Sequence, residues 1–307
     1  MAQPAPQEKP KRSVRLAFLL AGARIASVLR GSSTKVETYC KHKIAMDFAY
    51  RPRPDDLFIA SYPKSGTTLL QMMLYQMKTD GEMDFPHIEA VSPYFEDCFR
   101  LGFNRFLESV PSPRIFKTHL EHQDMPRGVR SIYIVRDFRD VIVSGFHHYR
   151  MVRGWSHDEE FRVFVEGMIS GKTLFDSWFD HVQSWWPHRN DPDVLFLRYE
   201  EVIADLPGTM RRIADFCHLQ LTDELAARVL ERCSVDFMRQ HNEKFDPRLR
   251  QLQKEHAPFI RNGMAGEGRA RLNPGQEQRI ARSLADLGRK LGCAPDDPFS
   301  GIFFGSS

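Results

Sequence analysis

The loop Ser61-Tyr62-Pro63-Lys64-Ser65-Gly66-Thr67-Thr68 carries the residue types that an oxyanion site needs. Lys64 offers a full positive charge, and Ser65, Thr67 and Thr68 offer hydroxyl donors. The apolar run before it, Leu57-Phe58-Ile59-Ala60, reads as a β-strand, and the run after it, Leu69 to Met77, reads as a helix. A loop at that junction meets a phosphate or sulfate with unpaired backbone N–H groups and the positive end of the helix dipole. The nucleotide-triphosphatase pattern is absent, because the Lys precedes the Gly and no upstream Gly opens the loop. On composition alone, an ordinary helix cap stays open as the other reading.

Two more chemistry-bearing strings also follow strand-like runs. Lys117-Thr118-His119 comes after Arg114–Phe116, and Arg136 comes after Ile132–Val135, before a helical stretch that contains Ser144. A further strand is expected over Val194–Leu197. Helices are expected over Thr67–Met77, Asp140–His148, Leu174–Trp186, Leu206–Phe216, Glu224–Arg232 and Glu277–Leu291. Such alternation implies an α/β fold with a central parallel sheet flanked by helices. Ligands in these sheets bind at the carboxyl ends of the strands, where Lys64, His119 and Arg136 fall.

The 307-residue chain is 42% hydrophobic, enough to bury a sizeable core, and its net charge of +3 gives no reason to expect nucleic acid as a partner. Its five cysteines, Cys40, Cys98, Cys217, Cys233 and Cys293, are odd in number and lack a CxxC pair, which argues against a disulfide framework or zinc site and for a reducing, cytoplasmic compartment. Residues 1 to 12 read as a Pro- and charge-rich disordered tail. The apolar part of Arg15–Arg30 falls short of the roughly 20 residues of a spanning helix, and Arg24 and Arg30 sit where a signal peptide would be cleaved. It reads as an amphipathic helix that packs on the domain or touches a membrane surface. The organisation expected is residues 1–40 as tail plus helix and residues 41–307 as one catalytic domain.

The loop string Tyr62-Pro-Lys-Ser-Gly-Thr-Thr resembles the 5′-phosphosulfate loop of sulfotransferases that use 3′-phosphoadenosine 5′-phosphosulfate (PAPS). Arg114-Ile-Phe-Lys-Thr-His-Leu resembles that family's catalytic-base segment, and Tyr133-Ile-Val-Arg-Asp-Phe-Arg-Asp-Val-Ile-Val-Ser its 3′-phosphate segment. The likeness continues through Asp176-Ser-Trp-Phe-Asp-His-Val-Gln-Ser-Trp-Trp, Leu197-Arg-Tyr-Glu-Glu-Val and Phe259-Ile-Arg-Asn-Gly-Met-Ala-Gly.

The resemblance implies a single-domain, P-loop-like sulfotransferase fold and transfer of a sulfuryl group from PAPS to a hydroxyl. PAP would be the product, and no metal would be required. Lys64, Ser65, Gly66, Thr67 and Thr68 would hold the 5′-phosphosulfate. Arg136, Ser144, Arg261, Asn262 and Gly263 would surround the 3′-phosphate, with Tyr199 beside the adenine. His119 would be the general base, with Lys64 and Lys117 steadying charge on the leaving group and the sulfuryl oxygens.

Several positions depart from the family pattern. The aromatics that sandwich adenine are replaced by Leu69 and, on alignment with Met238, Val235, with Phe237 as a candidate substitute. The family's Arg-Lys-Gly reads Arg261-Asn262-Gly263, and its dimerisation motif is reduced to Arg269, leaving the oligomeric state open. Aromatic segments including Phe95, Phe99, Phe146 and His148 are expected to wall the acceptor pocket, implying a phenol, alcohol, lipid or natural product. A nucleotide kinase or triphosphatase, and a catalytically silent nucleotide- or membrane-binding protein, stand as alternatives.

Overall fold

The computed structural model describes residues 50–100, 104–153, 158–173, 175–246 and 259–305. The expected tail and amphipathic helix over residues 1–40 lie outside them, as does the side chain of Phe99.

Four parallel strands form the sheet: β1 (Leu57–Ala60), β2 (Ile115–Thr118), β3 (Arg130–Val135) and β4 (Val194–Arg198), in the order β2-β1-β3-β4. β1 is fully buried between its neighbours, as an apolar run of β-type residues covered on both faces should be. Alternate residues of β3 serve opposite faces. Ile132 and Ile134 join Leu57, Leu70 and Met73 in one core cluster, whereas Tyr133 and Val135 join Val141, Ile142 and Trp185 in the other. Below the sheet the Arg114 guanidinium makes two 2.7 Å hydrogen bonds to the Asp56 carboxylate, both side chains fully buried, so the charges satisfy each other in a bidentate pair.

The helices that matter for the site are α1 (Thr67–Lys78), α2 (Phe138–Arg153), α3 (Asp158–Ile169), α4 (Trp178–Trp185), α5 (Tyr199–Ala204), α6 (Val235–Gln240), α7 (Glu267–Arg271) and α8 (Pro274–Lys290). α4 begins four residues later than the sequence suggests. Asp176 sits at φ +59, outside helical backbone, and the Ser177 hydroxyl caps the helix by accepting from the Asp180 N–H. α8 starts three residues earlier than expected, because Asn273 and Gln276 form a capping box around Pro274.

The sheet and these helices belong to one compact unit, Arg53–Phe95 with Val110–Ser307; the described residues 50–52, 96–100 and 104–109 group apart as a second, small unit. Among the described residues no helix is long and apolar enough to cross a membrane. Cys98, Cys217, Cys233 and Cys293 are unbridged and buried.

Candidate active site

A cavity of about 920 Å³ opens at the carboxyl ends of the strands. Each strand delivers one group to its lining: Lys64 after β1, His119 after β2, Arg136 after β3 and Tyr199 after β4. Gly66, Thr67, Thr68, Lys117, Ser144, His148, Arg261, Asn262 and Gly263 line the same cavity. Phe95 and Phe146 do not. Phe95 is fully buried against Phe58 and Phe116, and Phe146 packs against Phe161 and Phe164, so both rings serve the core. The Tyr and Phe rings that do reach the cavity are Tyr62, Tyr94, Tyr149, Phe164, Phe175, Tyr199, Phe245 and Phe259.

The loop after β1 is shaped to receive an anion. Lys64, a non-glycine residue, stands at φ +70, and Gly66 stands at φ +105, where any L side chain is strained. A Cβ on Gly66 would also lie 2.5 Å from the Tyr199 ring, so glycine is required here for two reasons. Gly66 caps α1 with no side-chain hydrogen bond, and the first turn holds no acidic residue, so the positive helix end is unopposed. Ser65, unlike its neighbours Lys64 and Gly66, does not line the cavity; its hydroxyl is fully buried without a hydrogen-bond partner, a costly state. Thr67 is less available, since its hydroxyl lies 2.9 Å from that of Ser61.

Electrostatics agree with this geometry. Burial, then the neighbouring charges of Lys117, Arg136 and Arg261, push the Lys64 ammonium down to about 7. Its Nζ lies 4.5 Å from the centre of the Phe259 ring. Three cations crowding a buried fourth make a site that an anion stabilises.

His119 sits on the other side of the cavity. Its Nδ1 donates to the Ser61 carbonyl at 2.7 Å, which fixes the tautomer with the proton on Nδ1. Burial, then the charge of Lys117, hold its pKa well below the usual imidazole value, so the ring is neutral near pH 7. Lys117 itself is held 3.2 Å from the Glu89 carboxylate and 5.0 Å from the Tyr94 ring centre.

Around Arg136 the chain closes on itself. The guanidinium donates to the Met264 carbonyl at 2.8 Å, lies 3.5 Å from Asp140 and stacks over Tyr199 at 4.3 Å. Its Nε is buried and has no hydrogen-bond partner. Asp140, also buried, accepts from the N–H groups of Gly266 and Gly268 at 2.8 and 2.7 Å and so pins the C-terminal loop to α2. Arg261 and Asn262 both bond Glu267, at 2.6 and 2.8 Å. The Tyr199 hydroxyl donates to the Gly263 carbonyl at 2.9 Å. Gly263 has φ +62, and a Cβ there would lie 2.5 Å from Val235.

Leu69 and Val235 line the cavity as aliphatic side chains, while Phe237 stacks on His241 with centroids 4.2 Å apart and takes no part in the lining. Sequence reasoning missed Glu89, Asp140 and Glu267, the carboxylates that hold Lys117, Arg136 and Arg261. Asp140, four residues after Arg136, was the one with a local signal, the i, i+4 spacing of an ion pair. Among the described residues one cluster, His122, His188 and Asp191, has donors close enough for a metal ion, and it lies away from the cavity lining. Its two imidazoles are stacked at 3.4 Å and 15°, and His188 Nδ1 bonds Asp191 at 2.7 Å.

The model of the sulfotransferase domain family matches residues 54–291. Human sulfotransferase 1E1 is 31% identical over 232 residues, covering 71% of this chain and 79% of that protein. A rabbit (Oryctolagus cuniculus) amine sulfotransferase is 28% identical over 244 residues, covering 75% and 79%. Among solved structures, retinol dehydratase with androsterone and PAP superposes with a TM-score of 0.68 at 27% identity, covering 83% of this chain and 86% of that one. A mouse sulfotransferase with PAP gives a TM-score of 0.64 at 27% identity, covering 81% and 88%.

Proposed function

This chain belongs to the sulfotransferase family and transfers a sulfuryl group from PAPS to a hydroxyl acceptor, and we propose that the cavity at the strand ends is where it does so, with His119 as general base. What supports this reading is that His119, its tautomer set by the Nδ1 bond to the Ser61 carbonyl and its ring held neutral by burial and the charge of Lys117, lines a cavity crowded with cations.

Lys64, the backbone around Gly66 and the hydroxyls of Ser65 and Thr68 hold the 5′-phosphosulfate. Arg136, Ser144 and the Arg261–Gly263 segment hold the 3′-phosphate. Tyr199 covers the ribose and adenine side together with Leu69 and Val235. His119 Nε2 takes the hydroxyl proton as the acceptor oxygen forms its bond to sulfur; the bond from sulfur to the bridging oxygen breaks, and that oxygen leaves on PAP with the electron pair. Lys64 and Lys117 offset the charge that grows on the leaving oxygen and the sulfuryl group. By analogy with phosphoryl transfer, most of the acceleration comes from positioning and preorganised charge.

The acceptor side, lined by Tyr94, Tyr149, Phe164, Met168 and Phe175, suits a flat or extended apolar molecule with one hydroxyl near His119. Two solved neighbours hold retinol or androsterone, both of that kind. The test is sulfate transfer from labelled PAPS to a panel of phenols, retinol, androsterone, long-chain alcohols and one arylamine, with and without EDTA. A sulfate ester that forms equally well in EDTA is expected, and transfer to no hydroxyl compound would overturn the proposal. In His119→Ala, turnover of the best acceptor should fall by about two orders of magnitude while the Kd for PAP stays within a few-fold, because a general base acts in the transition state. Unchanged turnover would remove His119 from the mechanism.

A further inference from the structure

The motif Asp176 to Trp186 supplies no group to the chemistry described above, yet its helix α4 grips the segment that carries His119. β2 is an edge strand: among the strands it pairs only with β1, and its chain leaves the sheet at His119. The segment beyond is held from the side by α4. Trp185 Nε1 donates to the Leu120 carbonyl at 3.2 Å, and the Ser184 hydroxyl accepts from the His122 N–H at 3.1 Å. His181 is buried beneath the His119–Leu120 backbone, with its Nδ1 3.1 Å from the Tyr133 hydroxyl. Trp185 is itself fixed, fully buried and stacked on Tyr133 of β3 at 4.7 Å and 13°.

We propose that Trp185 and Ser184, braced by His181, are positioning residues for the general base: they tie the Leu120–His122 segment to β3, so that His119 Nε2 keeps its aim into the cavity. This inference rests on the role given to His119 above. The Nδ1 bond to Ser61 sets the tautomer of the ring, and on its C-terminal side the His119 backbone runs directly into the segment that α4 holds. A catalytic group displaced by about 1 Å can lose on the order of 10² in rate, so bonds to this segment belong to the catalytic geometry as well as to the fold.

The protein contains its own control. Trp186, adjacent and equally buried, donates from its Nε1 to the Leu291 carbonyl at the same 3.2 Å, at the far end of α8 and away from His119. Trp185→Phe and Trp186→Phe each delete one buried indole donor and leave one carbonyl unpaired, so their thermal midpoints should fall alike. Steady-state kinetics with PAPS and the best acceptor of the panel then separate them.

Trp185→Phe should lower kcat about tenfold or more with the KM for PAPS unchanged, and Trp186→Phe should leave kcat within about twofold of the parent. Ser184→Ala, which keeps α4 intact, should lower kcat in the same way, and Ser184→Thr should restore it; this pair carries the test should Trp185→Phe fail to fold. Equal kcat in the two tryptophan variants, or in Ser184→Ala and the parent, overturns the inference. His119→Ala run alongside keeps the two ideas apart: its loss of turnover with Trp185→Phe unaffected defeats only the positioning role, whereas retained turnover in His119→Ala defeats the base assignment beneath it.

Discussion

The two regions of this cavity proposed to hold the phosphosulfate and the 3′-phosphate are built on opposite plans. The loop Ser61–Thr68 is contiguous and little engaged by carboxylates: the Ser65 hydroxyl has no partner, and Lys64 lies among cations with no carboxylate among the groups that shift it. The region around Arg136 is assembled from distant pieces and, apart from the buried Arg136 Nε, is largely occupied by its own chain. Asp140 takes two backbone N–H groups of the C-terminal loop, Met264 takes the Arg136 guanidinium, and Glu267 takes Arg261. The first region stores unfavourable charge repulsion that a ligand removes. The second exchanges internal partners for a ligand and gains chiefly discrimination.

The sharpest division comes from Arg136→Ala. Losing a charge-assisted pair to a buried phosphate costs about 2–4 kcal/mol, so PAP should bind weaker by roughly two orders of magnitude, while 5′-AMP, which lacks the 3′-phosphate, should change little. Calorimetric titration with both nucleotides measures this. Equal loss for the two would erase the division of labour between the regions.

A pH series probes the first region. The free protein holds Lys64 at about 7, and a bound anion raises that value, so binding is favoured by the protonated form. Affinity should therefore be full below about pH 7 and fall by up to about tenfold per pH unit above it, until the bound-state pKa is reached. Phosphate second ionisations near pH 6 are complete in that range and do not contribute. Titrations at pH 8 in buffers of different ionisation enthalpy should reveal net proton uptake on PAP binding. A buffer-independent enthalpy would mean that Lys64 is already charged in the empty site.

The smallest effect belongs to Glu267→Gln. Glu267 is only partly buried and its pair with Arg261 is solvent-screened, so releasing that guanidinium should tighten PAP by only a few-fold, with 5′-AMP unaffected. A weakening instead would show that Glu267 matters for holding the loop in place rather than as a competitor for Arg261.

Much of this protein is legible in its sequence because the informative stretches are local. An apolar run, a polar loop and an amphipathic run fix β1, the anion loop and α1 within some twenty residues, and the structure places them as read. The same holds for Lys117 and His119 at the end of β2 and for Arg136 at the end of β3, since a parallel sheet brings all its carboxyl ends to one edge. Tertiary structure alone decided which rings face the cavity. Phe95 and Phe146 have the same side chain as Phe164 and Phe175, but Phe95 is clamped between Phe58 and Phe116 and Phe146 between Phe161 and Phe164, and no period in the sequence says on which side of the packed layer a ring will end. It alone also joined Asp140 to Gly266 and Gly268, 126 and 128 residues away, and Trp185 to Leu120, 65 residues away. Backbone partners leave no mark on residue type at the accepting or donating position, so these bonds, which aim the site, appear only once the chain is folded.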